Sequence, residues 1–229
     1  FNWLGSEYTS NASVEGLENI PKDGKFLIVS NHPMGAADAI ALYHQIYPVR
    51  NDLFFFANEL FVYLLGAFHE LLAPVVWNKE KETHSANKVT LERLSVFFGD
   101  DRPGIIFPSG RLSKLTFLGL WDRPWEKTPI ALAKKYNFPL IPVYVEGRNS
   151  WFFYFASYVN KQLRDISQLN ELFNKREKKM SIKIGKPVNV STLNDNTDIA
   201  IGQMRYRSES LRKKSVLKLN RFLYLRNFK

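Results

Sequence analysis

One short segment combines a histidine and an aspartate with the residue types of a tight turn. It reads Ser30-Asn31-His32-Pro33-Met34-Gly35-Ala36-Ala37-Asp38 and directly follows the apolar run Phe26-Leu27-Ile28-Val29. A neutral imidazole takes a proton from a hydroxyl group when a carboxylate fixes its tautomer and stabilises the imidazolium that forms. His32 and Asp38 are therefore our candidate base and orienting acid. A structural interpretation stays open, because aspartates that cap helices and histidines in turns are common.

Two later segments also place polar residues directly after short apolar runs. The first follows Ile105-Ile106-Phe107 and reads Pro108-Ser109-Gly110-Arg111-Leu112-Ser113-Lys114. A turn at 108–110 exposes backbone amides, and Arg111 and Lys114 add cations three residues apart, which suits a phosphate group. The second segment ends the run at 140–145 with Glu146-Gly147-Arg148. An ordinary loop with solvated charges remains the alternative for the first segment.

Alternating apolar runs and helical patterns indicate the elements that position these residues. We predict strands near 26–29, 53–56, 74–77, 105–107, 140–145 and 181–184, and helices near 38–46, 59–68, 84–98, 128–136 and 151–172. Strands separated by helices predict an α/β fold with a largely parallel central sheet and helices on both faces. Pro142 indicates an edge or a bulge for its strand. Because there is neither a linker nor an internal repeat, we predict a single domain over residues 1–229.

Positive charge concentrates at the end of the chain. The formal net charge is +10, and residues 201–229 hold nine basic side chains against Glu209 alone. The apolar residues of this segment fall near one stripe, so we predict a basic amphipathic helix at about 199–226. Such a face attracts the phosphates of nucleic acid or of an anionic membrane. A solvated helix with lysines for solubility is the plain alternative.

Aromatic residues make up 14% of the chain and cluster in two dense runs. The runs are Leu53-Phe54-Phe55-Phe56 and Trp151-Phe152-Phe153-Tyr154-Phe155. A large aromatic core is the ordinary interpretation, and an apolar trough for a lipid chain or a membrane-contacting surface is the functional one. No stretch reaches the ~18 uninterrupted apolar residues that a membrane-spanning helix requires.

The sequence also excludes several kinds of site. With no cysteine, the chain has no disulfide, no thiol nucleophile and no cysteine-bound metal. It lacks a GxSxG elbow, a Walker loop, a GxGxxG motif after the first strand and an HExxH motif, and we expect no metal. Ser109 paired with His32 remains the hypothesis for a serine nucleophile.

The order of the polar segments resembles that of the glycerolipid acyltransferase family, which includes the 1-acylglycerol-3-phosphate acyltransferases. The resemblance covers roughly residues 16–187 and rests on Asn31-His32-Pro33 with Asp38, Phe107-Pro108-Ser109-Gly110, Ile141-Pro142-Val143, and the entry Gly16-Leu17-Glu18-Asn19-Ile20-Pro21. The form Asn-His-Pro-x-Gly-x-x-Asp is similar to a branch related to bacterial hemolysin-like acyltransferases. That branch includes the O-acyltransferases of ornithine lipids and other aminoacyl lipids.

Four features depart from the family pattern. Five residues separate His32 from Asp38, where the family usually has four. Ser109 replaces the family's glutamate, and Arg111 stands one position early, which favours an acceptor with a different head group. Lys79 is the nearest match to the arginine of the family's second block, and a lysine lacks the bidentate fork of arginine.

The resemblance implies an O-acyltransferase without a cofactor. A fatty acyl group would pass from an acyl thioester, on coenzyme A or acyl carrier protein, to the hydroxyl of a lysophospholipid or lyso-aminoacyl lipid. His32 and Asp38 would be catalytic, and amides around Gly110 would stabilise the oxyanion. The remaining residues expected to bind substrate are Asn31, Lys79, Ser109, Arg111, Lys114 and Arg148.

The expected location is peripheral, on the cytoplasmic face of a bacterial inner membrane, with the basic tail against anionic lipid. A non-catalytic module that binds RNA or a lipid surface is one alternative, although the aromatic residues form apolar runs and do not interleave with cations. A lipase-like hydrolase that uses Ser109 is the other. We expect no nucleic-acid partner.

Overall fold

The computed structural model describes residues 2–58, 66–75, 84–116, 119–160 and 178–212, together with 163, 167, 170–171 and 173–176. Nine strands are described: β1 (Ala12–Glu15), β2 (Leu27–Ser30), β3 (Phe54–Asn58), β4 (Leu72–Val75), β5 (Gly104–Ile106), β6 (Lys114–Thr116), β7 (Gly119–Trp121), β8 (Leu140–Glu146) and β9 (Met180–Ile184). The α-helices described are α1 (Asn2–Tyr8), α2 (Ala36–Ile46), α3 (His84–Gly99), α4 (Thr128–Tyr136), α5 (Trp151–Val159) and α6 (Thr197–Ser210).

Seven of the strands form the central sheet in the order β1-β9-β8-β2-β5-β3-β4. Every neighbouring pair in this sheet is parallel except β8 and β9. Strands β6 and β7 form a separate antiparallel hairpin. The prediction of an α/β fold with a largely parallel sheet is therefore confirmed.

Helices cover both faces of the sheet because its central strands are apolar on both sides. In β2, Leu27 and Val29 belong to one core cluster, which contains residues of α3, α4 and α6. Ile28, between them, belongs to a second cluster that contains residues of α2. The two buried faces fix the carboxyl edge of β2, where His32 follows.

Several details differ from the sequence prediction. β8 is not an edge strand, since it lies between β2 and β9. Pro142 is tolerated in β8 because it lies just beyond the β9 ladder, which begins at Val143, and there its carbonyl accepts a hydrogen bond from the Gly185 amide. Helix α5 ends at Val159, because Asn160 has extended backbone, but residues 163, 167, 170–171 and 173, which lie within or just beyond the predicted helix 151–172, are again helical. The predicted helix at 59–68 lies mostly outside the described residues.

The two aromatic runs differ in burial. Phe54, Phe55 and Phe56 are buried in the core, so they are not an open trough. In α5, Phe153 is buried whereas most of the other aromatic rings are exposed.

The C-terminal segment enters the core through α6, whose residues Ala200, Ile201 and Met204 are buried. The part of the predicted basic helix at 213–226 lies outside the described residues. In the described part of the chain, no helix has the length and apolar character needed to cross a bilayer.

Candidate active site

His32 and Asp38 meet at the carboxyl edge of β2. Nδ1 of His32 lies 3.0 Å from Oδ2 of Asp38. The two groups are in contact without the alignment of a hydrogen bond, and His32 Nδ1 and Asp38 Oδ1 have no hydrogen-bond partner among the described residues. Catalytic hydrogen bonds commonly tighten only when substrate binds. The loop with five intervening residues thus returns the carboxylate to the imidazole.

Asp38 is held in place by the start of helix α2. Its Oδ2 accepts the backbone N–H groups of Met34 at 2.8 Å and Gly35 at 3.0 Å. The carboxylate is fully buried at the first turn of the helix, where the helix dipole favours negative charge. Asp38 therefore caps the helix, as the structural interpretation expected, and the same oxygen faces His32.

Gly35 makes this turn possible. Its backbone has φ +83° and ψ −133°, a region that residues with a side chain rarely adopt. A Cβ at this position would also lie 3.2 Å from Cδ2 of Leu112. The glycine in the motif is therefore required by the loop geometry between His32 and Asp38.

The His32 ring is fixed on one face and open at its edge. It stacks on Phe107 with ring centroids 4.1 Å apart and an interplanar angle of 23°. The side chain is 19% exposed, and no described residue forms a hydrogen bond with Nε2. With Nδ1 directed to Asp38, Nε2 is the nitrogen available to a substrate hydroxyl.

Asp122, a residue that sequence reasoning missed, fixes the backbone of His32. Its Oδ1 accepts the N–H of His32 at 3.2 Å and the hydroxyl of Ser113 at 2.6 Å, and its Oδ2 accepts Nε1–H of Trp125 at 2.7 Å. Burial raises the pKa of the Asp122 carboxyl, although the three hydrogen bonds favour its charged form. Asp122 follows the hairpin strand β7, and no motif marked it in the sequence.

The turn after β5 is tied to His32, and of the amides around Gly110 that the sequence predicted as donors, that of Gly110 itself is occupied. The N–H of Gly110 donates to the carbonyl of Phe107 at 2.9 Å, which occupies that donor. The hydroxyl of Ser109, a buried residue, donates to the carbonyl of Arg111 at 2.8 Å. The Ser113 N–H donates to the His32 carbonyl at 2.8 Å. Between them, the amides of Arg111 and Leu112 have no acceptor among the described residues.

Asn31 lies beside His32 but joins two strands. Its Nδ2 donates to the carbonyl of Val145 at 2.8 Å, and its Oδ1 accepts the Val145 N–H at 2.7 Å. The side chain is buried and its amide is already paired in both directions. The Asn31 side chain therefore ties β2 to β8, and its expected contact with substrate stays a prediction.

Two adjoining cavities open beside this loop. The larger, about 620 Å³, is lined by Asn31, Pro33, Asp122 and Tyr144, among others. Burial raises the pKa of the Tyr144 hydroxyl to about 12, so this phenol stays protonated. The smaller, about 440 Å³, is lined by Met34. The two share a rim at 147–148 and 179–180. The larger cavity therefore contacts the residues directly before and after His32, and the smaller one contacts Met34, two residues after it.

The predicted cations are distributed differently from our expectation. Arg148 is exposed and lines both cavities. Arg111 and Lys114 are exposed and line neither of these two cavities, so their predicted role as a phosphate cradle stays a prediction. Lys79 lies outside the described residues.

A buried ion pair, also missed from the sequence, supports the loop that carries Arg148. Nζ of Lys175 lies 3.0 Å from Oε2 of Glu171, and both side chains are at most 3% exposed. The same Nζ donates to the carbonyl of Arg148 at 3.1 Å and to Oδ1 of Asn149 at 2.8 Å. Burial alone raises the pKa of Glu171, but hydrogen bonds from Ser150 and Lys175, and the Lys175 charge, together lower it below its ordinary value.

No group of three or more acidic or histidine side chains with metal-binding geometry occurs in the described part of the chain.

Comparison with known proteins identifies the family. A family model described as Acyltransferase matches residues 3–223. Two curated relatives, from Phocaeicola vulgatus and Bacteroides thetaiotaomicron, are both named lyso-glycine lipid O-acyltransferase. They are 31% and 32% identical over 186 residues, which is 78% of this chain. The match covers 64% and 66% of the relatives, just under two thirds of their length.

A solved structure shares the fold. The crystal structure of the 1-acyl-sn-glycerophosphate (LPA) acyltransferase PlsC from Thermotoga maritima aligns with a TM-score of 0.57 and 20% identity. The alignment covers 96% of this chain and 78% of that one. Since the family model covers nearly the whole sequence, this chain belongs to the Acyltransferase family.

Proposed function

We propose that this protein transfers a fatty acyl group from an acyl thioester to the hydroxyl of a lysolipid, with a lyso-glycine lipid as the acceptor. The observation that carries the proposal is the 3.0 Å contact of His32 with Asp38 beside two cavities. The names of the two curated relatives support this choice of acceptor. No cofactor is needed, because the thioester itself supplies the activated acyl group.

The residues suggest the following steps. Nε2 of His32 removes the proton of the acceptor hydroxyl as its oxygen attacks the thioester carbonyl, and Asp38 stabilises the imidazolium. The tetrahedral intermediate then expels the thiolate, which takes the proton back from His32. The unpaired amides of Arg111 and Leu112 replace Gly110 as the donors that we propose for the oxyanion. An ester and a thiol are the products.

A panel of acceptors tests the proposal. Purified protein is incubated with palmitoyl-coenzyme A or palmitoyl acyl carrier protein and with lyso-glycine lipid, lyso-ornithine lipid or lysophosphatidic acid. We expect thiol release that depends on acceptor, and an O-acylated glycine lipid detected by mass spectrometry with at least one donor. Thiol release at the same rate without any lysolipid would contradict the proposal.

The hydrolase alternative is tested separately. The Ser109 hydroxyl is buried and used within its own turn, so Ser109→Ala should keep most of the transferase activity. Complete loss of thioester cleavage in a folded Ser109→Ala protein would instead favour a serine nucleophile.

We further propose that the protein binds peripherally to the cytoplasmic face of a bacterial inner membrane, through helix α5. Trp151, Phe152, Phe155 and Tyr158 are 64–92% exposed on this helix. Aromatic rings of this kind favour the interface between water and lipid, and nearby cations attract anionic head groups. One residue of this face, Trp151, also lines the smaller cavity.

Vesicle flotation tests the membrane contact. The double variant Phe152→Ser/Phe155→Ser should bind phosphatidylglycerol vesicles at least tenfold more weakly, because burying each ring contributes roughly 1.5–3 kcal/mol and about 1.4 kcal/mol is a factor of ten in affinity. Val89→Ser/Val96→Ser changes two exposed apolar residues of α3 and serves as the control. Equal binding of both variants would refute the assignment of this helix.

A further inference from the structure

The smaller cavity beside the catalytic loop is strongly basic. Its volume is about 440 Å³, and it is lined by Met34, whose N–H holds the carboxylate of Asp38. Arg148, Lys178 and Lys179 also line it, and no acidic residue does so among the described residues. A cavity of this size accepts the head group of a lipid. Its contents therefore lie next to the loop that carries His32.

Three of the cations at this cavity are free to bind an anion. Arg148, Lys178 and Lys179 are exposed, and none forms an ion pair with a described residue. Lys175 differs, because its three N–H groups donate to the Arg148 carbonyl, to Oδ1 of Asn149 and to Oε2 of Glu171. Its charge is balanced by Glu171. The net charge of the cavity therefore comes from the three exposed residues.

Two further features add hydrogen-bond donors to the same cavity. Helix α5 begins at Trp151 after the N-cap Ser150, and both residues line the cavity, so the positive end of the helix dipole lies there. Asn149, which is 3% exposed, also lines it, and its Nδ2 has no hydrogen-bond partner among the described residues. Cations, a helix start and an unpaired amide all favour a negatively charged ligand.

The Lys175–Glu171 pair makes the site rigid. Lys175 binds the carbonyl of Arg148 and the side chain of Asn149, while Glu171 accepts the N–H of Ser150 at 2.9 Å. The buried Lys175–Glu171 pair, which has no net charge, thus holds the three successive residues at 148–150 in place. Such support positions a binding residue more precisely than a free surface loop does.

We propose that this cavity binds the carboxylate of the acceptor's head group, with Arg148 as the main contact and Lys178 and Lys179 as supporting charges. The inference rests on the proposed function. A glycine joined to a lipid through its amine keeps a free carboxylate, and a guanidinium binds a carboxylate through two parallel hydrogen bonds. The phosphates of the acyl donor offer related chemistry, so the experiment must separate donor from acceptor.

The test uses the triple variant Arg148→Gln/Lys178→Gln/Lys179→Gln and two acceptors. One acceptor is lyso-glycine lipid and the other is its head-group carboxamide, which has the same shape without the charge. The KM for the carboxylate should rise roughly 10- to 100-fold in the variant, whereas the KM for the carboxamide and for the acyl donor should stay unchanged. The control Lys22→Gln/Lys88→Gln/Lys186→Gln removes three exposed charges that line neither cavity.

Other outcomes overturn the inference. An equal rise in KM for the carboxylate and the carboxamide would show that the head-group charge is not recognised here. A rise in the KM for the donor alone would assign the cavity to the donor's phosphates.

Calorimetric titration with lyso-glycine lipid below its micelle concentration keeps this inference separate from the proposed function. If wild type binds the lipid through these cations but transfers no acyl group, the proposed function fails and the site stands. If transfer proceeds and neither KM nor binding depends on the cations, the site fails and the function stands.

Discussion

Replacing Asp38 by asparagine removes one charge and leaves the shape of the site nearly unchanged. The asparagine oxygen can take the place of Oδ2 and still accept the N–H groups of Met34 and Gly35. Its NH₂ group then takes the place of the buried Oδ1, which has no partner among the described residues. The variant therefore tests whether the charge serves His32 or only caps helix α2.

The two roles predict effects of different size. A hydrogen bond to a charged acceptor contributes about 1.5–3 kcal/mol and a neutral one about 0.5–1.5 kcal/mol, so two weakened bonds cost about 2 kcal/mol of stability. A domain of this size then melts roughly 4–8 °C lower and stays folded. Loss of a properly oriented base instead lowers kcat by about 10²–10⁴-fold, which is about 2.7–5.5 kcal/mol of activation free energy.

The assay is a double-mutant cycle at saturating substrate. We measure kcat for thiol release in Asp38→Asn, in His32→Ala and in the double variant, with the melting temperature of each. If the two residues act as one unit, the double variant is no slower than His32→Ala, because the carboxylate has no imidazole left to orient. The reasoning is refuted if Asp38→Asn melts lower but keeps kcat within a small factor, or if the two losses multiply.

Three further predictions concern the supports of the site. Gly35→Ala should lower stability by about 1–3 kcal/mol and reduce kcat, because Gly35 has a positive φ in the loop between the two residues that we propose as catalytic. Gly24→Ala, at φ +72° with open space around it, should lower the melting temperature without affecting kcat. Asp122→Asn should lower the free energy of unfolding, measured by denaturant titration, by about 1–3 kcal/mol and should lower kcat at least tenfold. The cause is that the new NH₂ group must face a donor from His32, Ser113 or Trp125. An unchanged kcat would contradict the positioning role of Asp122. The pKa of Glu171 is lower in the folded protein than its ordinary value of 4.5. As the pH falls from 4.5 towards the folded pKa, the unfolded chain therefore binds more protons than the folded chain does. Stability should therefore fall in that range, and calorimetry should show a shallower decline in Glu171→Gln.

The strands and helices that bury apolar residues on a regular period were predictable. β2, α2, α3 and α4 lie close to their predicted positions, because alternation or helical spacing is visible in each. β1 was missed, since only every second residue of its four is partly buried. The place of β8 inside the sheet was missed because Pro142 argues locally for an edge, whereas the ladder with β9 begins only at the next residue, Val143.

The site was predictable where its residues are close in sequence. His32 and Asp38 are joined by one loop, so the turn residues between them already indicate that they meet. Asp122 lies 90 residues from His32, and Glu171 reaches Ser150 across 21 residues, so only the fold brings these groups together. The pairing of Asn31 with Val145 could not be predicted either, because the two residues are 114 positions apart in the sequence.

The central claim is that the imidazole of His32 acts as the base for an acceptor alcohol, and one comparison tests it most directly. Initial rates of thiol release from palmitoyl thioester with lyso-glycine lipid are measured for wild type and for His32→Ala. The melting temperatures of the two proteins are compared to show that the variant is folded. The proposed mechanism predicts a loss of about 10²–10⁴-fold in the variant. A folded His32→Ala protein that turns over at nearly the wild-type rate would contradict it.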